Sequence, residues 1–122
     1  MQSPFKGQTG LKRILNAAGY SWDGLRAAFC GEAAFRQLVL INAVLVPLAF
    51  FLDVSRGERA VLVLVCMLAL IVELLNSAVE AAIDRISLDR HPLSKNAKDM
   101  GSAAQLVALS MISLVWGIVL LG

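Results

Sequence analysis

Charged residues are scarce in this sequence. Only 16% of its 122 residues are charged, whereas 58% are hydrophobic, and the mean hydropathy is +0.74. Soluble domains usually carry about 25% charged residues. There is too little polar surface here to coat a soluble globule, so the composition excludes that class and indicates an integral membrane protein. The length is enough for a single domain over residues 1–122.

Cysteine, histidine and net charge are also low, and known nucleotide-binding motifs are absent from the sequence. Each of these absences excludes a kind of functional site. Cys30 and Cys66 lie far apart without a CxxC pattern, so no disulfide framework is predicted. His91 is the only histidine, and by itself it is more simply a loop residue than a metal ligand. The net charge of +2 does not suggest nucleic acid. The chain has no GxxxxGK[ST] loop and no protein-kinase HRD or DFG motif, so any nucleotide site must be of another kind.

Three long apolar stretches can cross a membrane. The uncharged run 37–52 is short for a hydrocarbon core of about 30 Å, so its helix is expected to begin near Glu32, with Arg36 extending toward the headgroups. A short charged turn follows and makes the first two spans antiparallel neighbours. The predicted transmembrane helices therefore cover about 32–52, 60–84 and 99–121.

The segment before the first span has a different pattern. Leu11, Ile14, Leu15 and Ala18 recur at helical spacing, with basic residues on the other faces. This predicts an amphipathic helix at about 10–29 that lies on the membrane surface. Residues 1–9 are polar and expected to fray, and no signal peptide is predicted.

Lysine and arginine predict the orientation of the spans. The N-terminal region and the second loop share one side and hold nine of these residues: Lys6, Lys12, Arg13, Arg26, Arg36, Arg85, Arg90, Lys95 and Lys98. The first loop holds only Arg56 and Arg59. We therefore expect a cytoplasmic N-terminus and an external C-terminus.

The second span carries a polar stripe. Steps of three, four and four residues separate Glu73, Asn76, Glu80 and Asp84, so all four lie on one face of an otherwise apolar helix. An acidic residue at membrane depth costs about 2.5 to 3.5 kcal/mol and marks a functional site by default. An interhelical ion-pair network is the alternative, but the spans offer almost no basic partner for Glu73.

The residue types in and around this stripe favour phosphoryl transfer. Mg²⁺ binds through one or two carboxylates together with substrate phosphates, and a carboxylate can accept a hydroxyl proton during the transfer. Basic side chains nearby, such as Lys95, Lys98 and Arg13, can hold phosphate oxygens. The same residues would also suit an ion pathway, so the chemistry alone leaves both possibilities open.

Four segments carry a resemblance to a known family. The stretch ELLNSAVEAAIDR at 73–85, followed by HPLSKNAKDMGSAA at 91–104, resembles the signature of the prokaryotic diacylglycerol kinases. The segments AAGYSWDGLRAA at 17–28 and EAAFRQ at 32–37 are similar to the same family. The resemblance covers almost the whole chain. It implies an all-α, homotrimeric membrane kinase of the bacterial inner membrane that transfers the ATP γ-phosphate to diacylglycerol with Mg²⁺, giving phosphatidic acid.

The resemblance also implies roles for individual residues. Glu73 would be the general base, supported by Asn76, and Glu32 and Glu80 would bind the metal. The residues implied to contact ATP are Arg13, Tyr20, Glu32, Glu80, His91, Lys98 and Asp99. Those implied to border the lipid are Arg13, Ala17, Ala18, Gly19, Tyr20, Ser21, Trp22, Arg26, Glu73 and Ser102. Asn16, Leu38 and Pro92 depart from the family pattern, but none of them is assigned to the chemistry.

Three alternatives remain beside the diacylglycerol kinase. The related polyprenol kinases would phosphorylate a lipid such as undecaprenol, although the Gly101-Ser102-Ala103 run after Lys98-Asp99 looks more like the diacylglycerol branch. A small channel or proton-relay subunit could use the same acidic stripe, but it leaves the basic loop without an evident use. A purely structural assembly subunit would tolerate replacement of Glu73 and Glu80.

Overall fold

The computed structural model describes residues 10–122, which form four α-helices and contain no strand. The helices are α1 (Gly10–Gly31), α2 (Ala33–Phe51), α3 (Arg56–Ile86) and α4 (Pro92–Leu121). Helices α2, α3 and α4 are each long and apolar enough to cross a membrane. The predicted all-α fold with three spans and an additional N-terminal helix is therefore confirmed. The expected fraying of residues 1–9 lies outside the described residues.

The ends of α3 and α4 follow from local capping. Ser55 and Glu58 form a capping box, in which each side chain accepts a hydrogen bond from the other residue's backbone N–H over 3.1 Å. At α4, His91 Nδ1 accepts from the Leu93 N–H over 3.1 Å, and Pro92 occupies the first turn, where its missing N–H is not needed. These contacts start α4 at Pro92. The polar residues 92–98 are therefore helical, although the sequence predicted that the helix begins at 99.

Helices α3 and α4 are longer than a hydrocarbon core requires. With 31 and 30 residues, they extend about 45 Å each, compared with a core thickness of about 30 Å. Their apolar parts can cross the membrane while the polar turns on either side of the loop at 87–91 project beyond it. The polar stripe of the second span occupies the C-terminal half of α3.

Helix α3 forms the centre of the molecule. Helices α2 and α4 both pack against it, and within residues 10–122 their backbones do not approach one another closely. The contact surfaces include the fully buried Leu62, Cys66 and Ala69 of α3, and small side chains allow helices to approach closely. Two polar side chains reach α3 backbone carbonyls: Asn42 Nδ2 donates to Cys66 O over 2.9 Å, and Trp116 Nε1 donates to Leu62 O over 3.3 Å.

The corner between α1 and α2 is a single residue. Glu32 is extended, with φ −122° and ψ 109°, while the helices on both sides continue. The Arg36 guanidinium donates to Phe29 O over 2.8 Å and to Cys30 O over 3.1 Å. Arg36 thereby caps the last carbonyls of α1, because these orphan acceptors lie within its reach, and its extension toward the headgroups stays a prediction.

Helix α1 is amphipathic in the structure as in the sequence. Its apolar residues Leu11, Ile14, Leu15 and Trp22 are exposed, and Ala28 near its C-terminal end is buried. The helix contacts α2 and α3 but not α4 among the described residues. An exposed apolar face on such a helix suits the interface of a membrane.

Candidate active site

The polar stripe of α3 becomes more exposed along the helix. Glu73 is buried, with 6% of its surface exposed, Asn76 and Glu80 are half-buried, and Asp84 is exposed. Glu73 lies about 16 Å from Asp84 along the helix axis, given a rise of about 1.5 Å per residue. A carboxylate at the buried end can therefore meet a group within the apolar layer, while Asp84 faces water.

Three carboxylates line one open cavity beside α3. Glu73 and Glu80 reach it from α3, and Glu32 reaches it from the corner between α1 and α2. Asn76 and Ser102 also line this space, which has a volume of about 350 Å³. The structure thus brings together five of the predicted site residues, from three parts of the chain. We refer to this space as the carboxylate cavity.

The amide of Asn76 packs tightly against α4. Its Oδ1 atom is buried and has no hydrogen-bond partner among the described residues. A Cβ atom built on Gly101 would overlap this oxygen and would lie 3.2 Å from Asn76 Cγ. Gly101 is therefore the residue that makes room for Asn76 beside the carboxylate cavity.

Sequence reasoning missed Gln105, which also lines the carboxylate cavity. This side chain is half-buried, and its Oε1 atom is buried without a hydrogen-bond partner in the described part of the chain. The available signal was a lone amide in the otherwise apolar part of the third span, three residues after Ser102. Spacing of three residues places both side chains on the same face of α4.

A second, larger cavity lies at the loop between α3 and α4. Its volume is about 660 Å³, and its lining includes His91, Lys98 and Asp99, three of the residues implied to contact ATP. Lys98 Nζ pairs with Asp84 Oδ1 at 2.8 Å. Lys95 Nζ pairs with Asp99 Oδ2 at 2.6 Å. These residues form a charged cavity, the loop cavity, beyond the exposed end of the stripe.

Most predicted residues of α1 lie outside the carboxylate cavity. Arg13, Ala17, Ala18, Gly19 and Tyr20 are exposed, and none of them is among the residues that line it. The implied nucleotide contacts Arg13 and Tyr20 are thus not among the residues that line this cavity with Glu80.

The C-terminal part of α1 borders two further spaces. Trp22 and Arg26 line an apolar groove of about 450 Å³ together with Phe35 and Leu70. Ser21 lines a neighbouring groove of about 600 Å³ that also reaches Glu32. Both grooves run between α1 and the membrane-spanning helices, so they connect the surface helix with the edge of the site.

The ligand types of the carboxylate cavity fit Mg²⁺. Within residues 10–122, no three His, Cys, Asp or Glu side chains are grouped closely enough to hold a metal ion by themselves. Mg²⁺ does not require such a group, because it binds through one or two carboxylates and completes its shell with substrate phosphates and water. Glu32 and Glu80 supply two hard oxygen ligands in one cavity, which is the kind of donor set that this ion prefers.

Comparisons with known proteins show which family the sequence resembles. The sequence pattern of the family described as prokaryotic diacylglycerol kinase matches residues 19–120. The chain is 75% identical over 120 residues to a diacylglycerol kinase of Pseudomonas aeruginosa, with 98% of each chain covered. It is 52% identical over 112 residues to a diacylglycerol kinase of Escherichia coli, with 92% of each covered. A diacylglycerol kinase of Haemophilus influenzae is 44% identical over 109 residues, covering 89% of this chain and 92% of the relative.

Proposed function

The chain belongs to the prokaryotic diacylglycerol kinase family, and from this premise we propose that Glu73 is the general base with which it phosphorylates diacylglycerol. The observation that carries the proposal is the buried Glu73 carboxylate, which faces the same cavity as Glu32 and Glu80. Membership of the family favours the kinase over the channel and assembly-subunit hypotheses.

The proposed reaction is a direct phosphoryl transfer. The Glu73 carboxylate takes the proton of the free lipid hydroxyl while the hydroxyl oxygen forms a bond to the γ-phosphorus of ATP. The bond between this phosphorus and the β,γ-bridging oxygen breaks, and ADP leaves with the bonding electron pair. The products are phosphatidic acid and ADP, and Glu73 later returns its proton to water. Positioning and charge stabilisation supply most of the catalysis in transfers of this kind.

The remaining residues divide between the two substrates. We propose that Glu32 and Glu80 hold Mg²⁺, which when bound neutralises charge on the ATP phosphates. The basic Lys98, with His91 and Asp99 in the loop cavity, would bind the nucleotide from the aqueous side. Asn76 would support Glu73, because its amide lies one turn away on the same face of α3.

The lipid is proposed to enter along α1. The apolar groove at Trp22 and Arg26 can hold acyl chains, and Ser102 lines the carboxylate cavity where the hydroxyl must arrive. The other assigned residues of α1 belong to this proposal. Arg13 and Tyr20 would contact both ATP and the lipid. The residues that would border only the lipid are Ala17, Ala18, Gly19 and Ser21. Their exposed positions on α1 leave them accessible to a ligand at the membrane surface.

We also propose the orientation and the assembly. The lysine and arginine distribution supports a cytoplasmic N-terminus and loop cavity in a bacterial inner membrane. Large apolar side chains remain exposed on α2, α3 and α4, among them Leu40, Leu64 and Leu106. The carboxylate cavity is open on one side, where further copies of the chain could cover it. Both features support a homotrimer.

The test follows labelled phosphate into lipid. Purified protein in mixed micelles receives diacylglycerol, Mg²⁺ and γ-labelled ATP, beside Glu73→Gln and the matched control Asp53→Asn from the opposite loop. General-base catalysis contributes about 10²- to 10⁴-fold, so Glu73→Gln is expected to lose that much activity while Asp53→Asn keeps the parental rate. Parental activity in Glu73→Gln would refute the assignment of the base. Competition with undecaprenol would detect a preference for the polyprenol.

A further inference from the structure

The amide of Gln105 lines the carboxylate cavity and contacts α3 one turn before Glu73. Its Nε2 atom donates to Ala69 O over 3.5 Å, which is long for a hydrogen bond. Ala69 precedes Glu73 by one helical turn, so this contact places the amide next to the Glu73 side chain. The weak existing contact leaves the amide hydrogens available to a stronger acceptor.

The Gln105 and Glu73 side chains line the same cavity. An amide has a donor nitrogen and an acceptor oxygen, whereas an ionised carboxylate can only accept. Nε2 is therefore the atom that can serve Glu73 in its ionised state. Oε1 is buried and receives no hydrogen bond from the described residues, so its acceptor capacity is still open.

The two other carboxylates that share the cavity cannot serve Glu73 in this way. Glu32 and Glu80 are carboxylates, and in the ionised state they have no proton to donate. The Asn76 oxygen is packed toward Gly101 of α4. A buried carboxylate without a donor would incur the full cost of desolvation, since buried charges are tolerated where they are hydrogen-bonded.

We propose that Gln105 is a positioning residue for Glu73 and that it hydrogen-bonds this carboxyl group in both of its protonation states. The inference rests on the proposed role of Glu73 as general base. Before transfer, the Nε2–H group donates to the ionised carboxylate and holds it toward the cavity. After Glu73 has taken the lipid hydroxyl proton, its new O–H group donates to Oε1, and no covalent bond of Gln105 changes.

This exchange requires only a rotation of the amide. The terminal torsion of glutamine is broad and roughly two-fold, so both orientations of the amide are accessible. A carboxamide therefore suits Glu73, which accepts a hydrogen bond when it is ionised and donates one when it is protonated. A lysine at this position would not match both states, because lysine has no acceptor.

The experiment measures kcat/KM for diacylglycerol as a function of pH, with the full chain in lipid-containing micelles and saturating Mg²⁺ and ATP. Gln105→Met keeps the length of the side chain and removes both polar groups. Gln105→Glu keeps its shape and replaces the donor by a second carboxyl group. Ser110→Ala is the matched control, because it removes a polar side chain of α4 whose hydroxyl donates to Leu106 O over 2.8 Å and which does not line the carboxylate cavity.

Loss of one hydrogen bond to a charged group predicts about a 10-fold fall in kcat/KM for Gln105→Met at neutral pH. The acidic limb of its pH profile is expected to move to higher pH, because the hydrogen bond to the ionised carboxylate is stronger than the one to the neutral acid. Gln105→Glu is expected to move the limb in the same direction, through like-charge repulsion. The KM for ATP should stay at the parental value in both variants, and Ser110→Ala should match the parent throughout.

An acidic limb of Gln105→Met that coincides with the parental one would overturn the proposal, even if the rate falls, because a packing defect alone does not change the protonation of Glu73. If Gln105→Met fails to fold, the limb of Gln105→Leu decides in the same way, because leucine also removes the amide without adding a charge. Glu73→Gln separates this result from the proposed function. If Glu73→Gln is active, the assignment of Glu73 as the base is refuted. If Glu73→Gln is inactive and the acidic limb is unmoved in the Gln105 variants, only the role of Gln105 is refuted.

Discussion

Replacing Gly101 by alanine is predicted to damage the site more than the fold. The new Cβ would overlap Asn76 Oδ1, which is the end of a side chain rather than backbone. The amide of Asn76 must therefore rotate away from α4 and from its place beside Glu73. If Asn76 supports the general base as proposed, kinase activity is expected to fall by at least about 10-fold, which corresponds to about 1.4 kcal/mol of transition-state stabilisation.

The effect on stability combines two opposing contributions. Alanine is favoured over glycine in a helix interior by about 1 kcal/mol, while overpacking costs about 1–3 kcal/mol. In the parental background, Gly101→Ala is therefore expected to lower the free energy of unfolding by between about 0 and 2 kcal/mol. In an Asn76→Ala background the overlap is absent, so the same substitution should stabilise the protein by about 1 kcal/mol.

A double-mutant cycle measures this difference. Reversible unfolding in detergent micelles is followed for the parent, both single variants and the double variant, and the coupling energy between positions 76 and 101 is expected to be about 1–3 kcal/mol. Gly117→Ala is the matched control on the same helix, because no atom lies within 4 Å of a Cβ built there. A coupling energy near zero would refute the proposed contact between Gly101 and Asn76.

Three further substitutions test other contacts. Arg36→Ala is expected to expose the corner between α1 and α2 to limited proteolysis, because the carbonyls of Phe29 and Cys30 lose their donor; an unchanged cleavage rate beside an Arg36→Lys control would contradict this. Asn42→Leu is expected to change the free energy of unfolding by less than about 1.5 kcal/mol, since it removes one hydrogen bond together with an unsatisfied oxygen. Asp84→Asn is expected to cost less than about 1 kcal/mol, because Asp84 and Lys98 are 49% and 42% exposed; a larger loss in urea or thermal unfolding would show that the pair is structurally important.

The three membrane spans and the polar stripe on α3 could both be predicted from the sequence. Both depend on short-range periodicity, since a long apolar run must be a helix in a membrane and four polar residues at helical spacing must share a face. The start of α4 was not evident, because the polar residues 92–98 resemble a loop in composition. Their helical state depends on the cap at His91 and on the proline that follows it.

Contacts between helices could not be predicted in the same way. The closeness of Asn76 to Gly101 and of Gln105 to Glu73 depends on the register of α4 against α3. That register is set by packing of buried residues such as Ala69 and Ile112 and by the hydrogen bond from Trp116 to α3. No local pattern contains this information, so Gln105 looked like one more residue of an apolar span.

The one-residue corner at Glu32 has a consequence for insertions and deletions. The Glu32 N–H still donates to Ala28 O over 2.9 Å, and the Arg36 N–H donates to Glu32 O over 3.2 Å, so helical hydrogen bonding passes through the corner. The rotational phase of α1 is thereby tied to that of α2. One added residue would turn α1 by about 100° about its axis and direct its apolar face away from the membrane. The length of this junction is thus fixed by geometry, whichever amino acid occupies it.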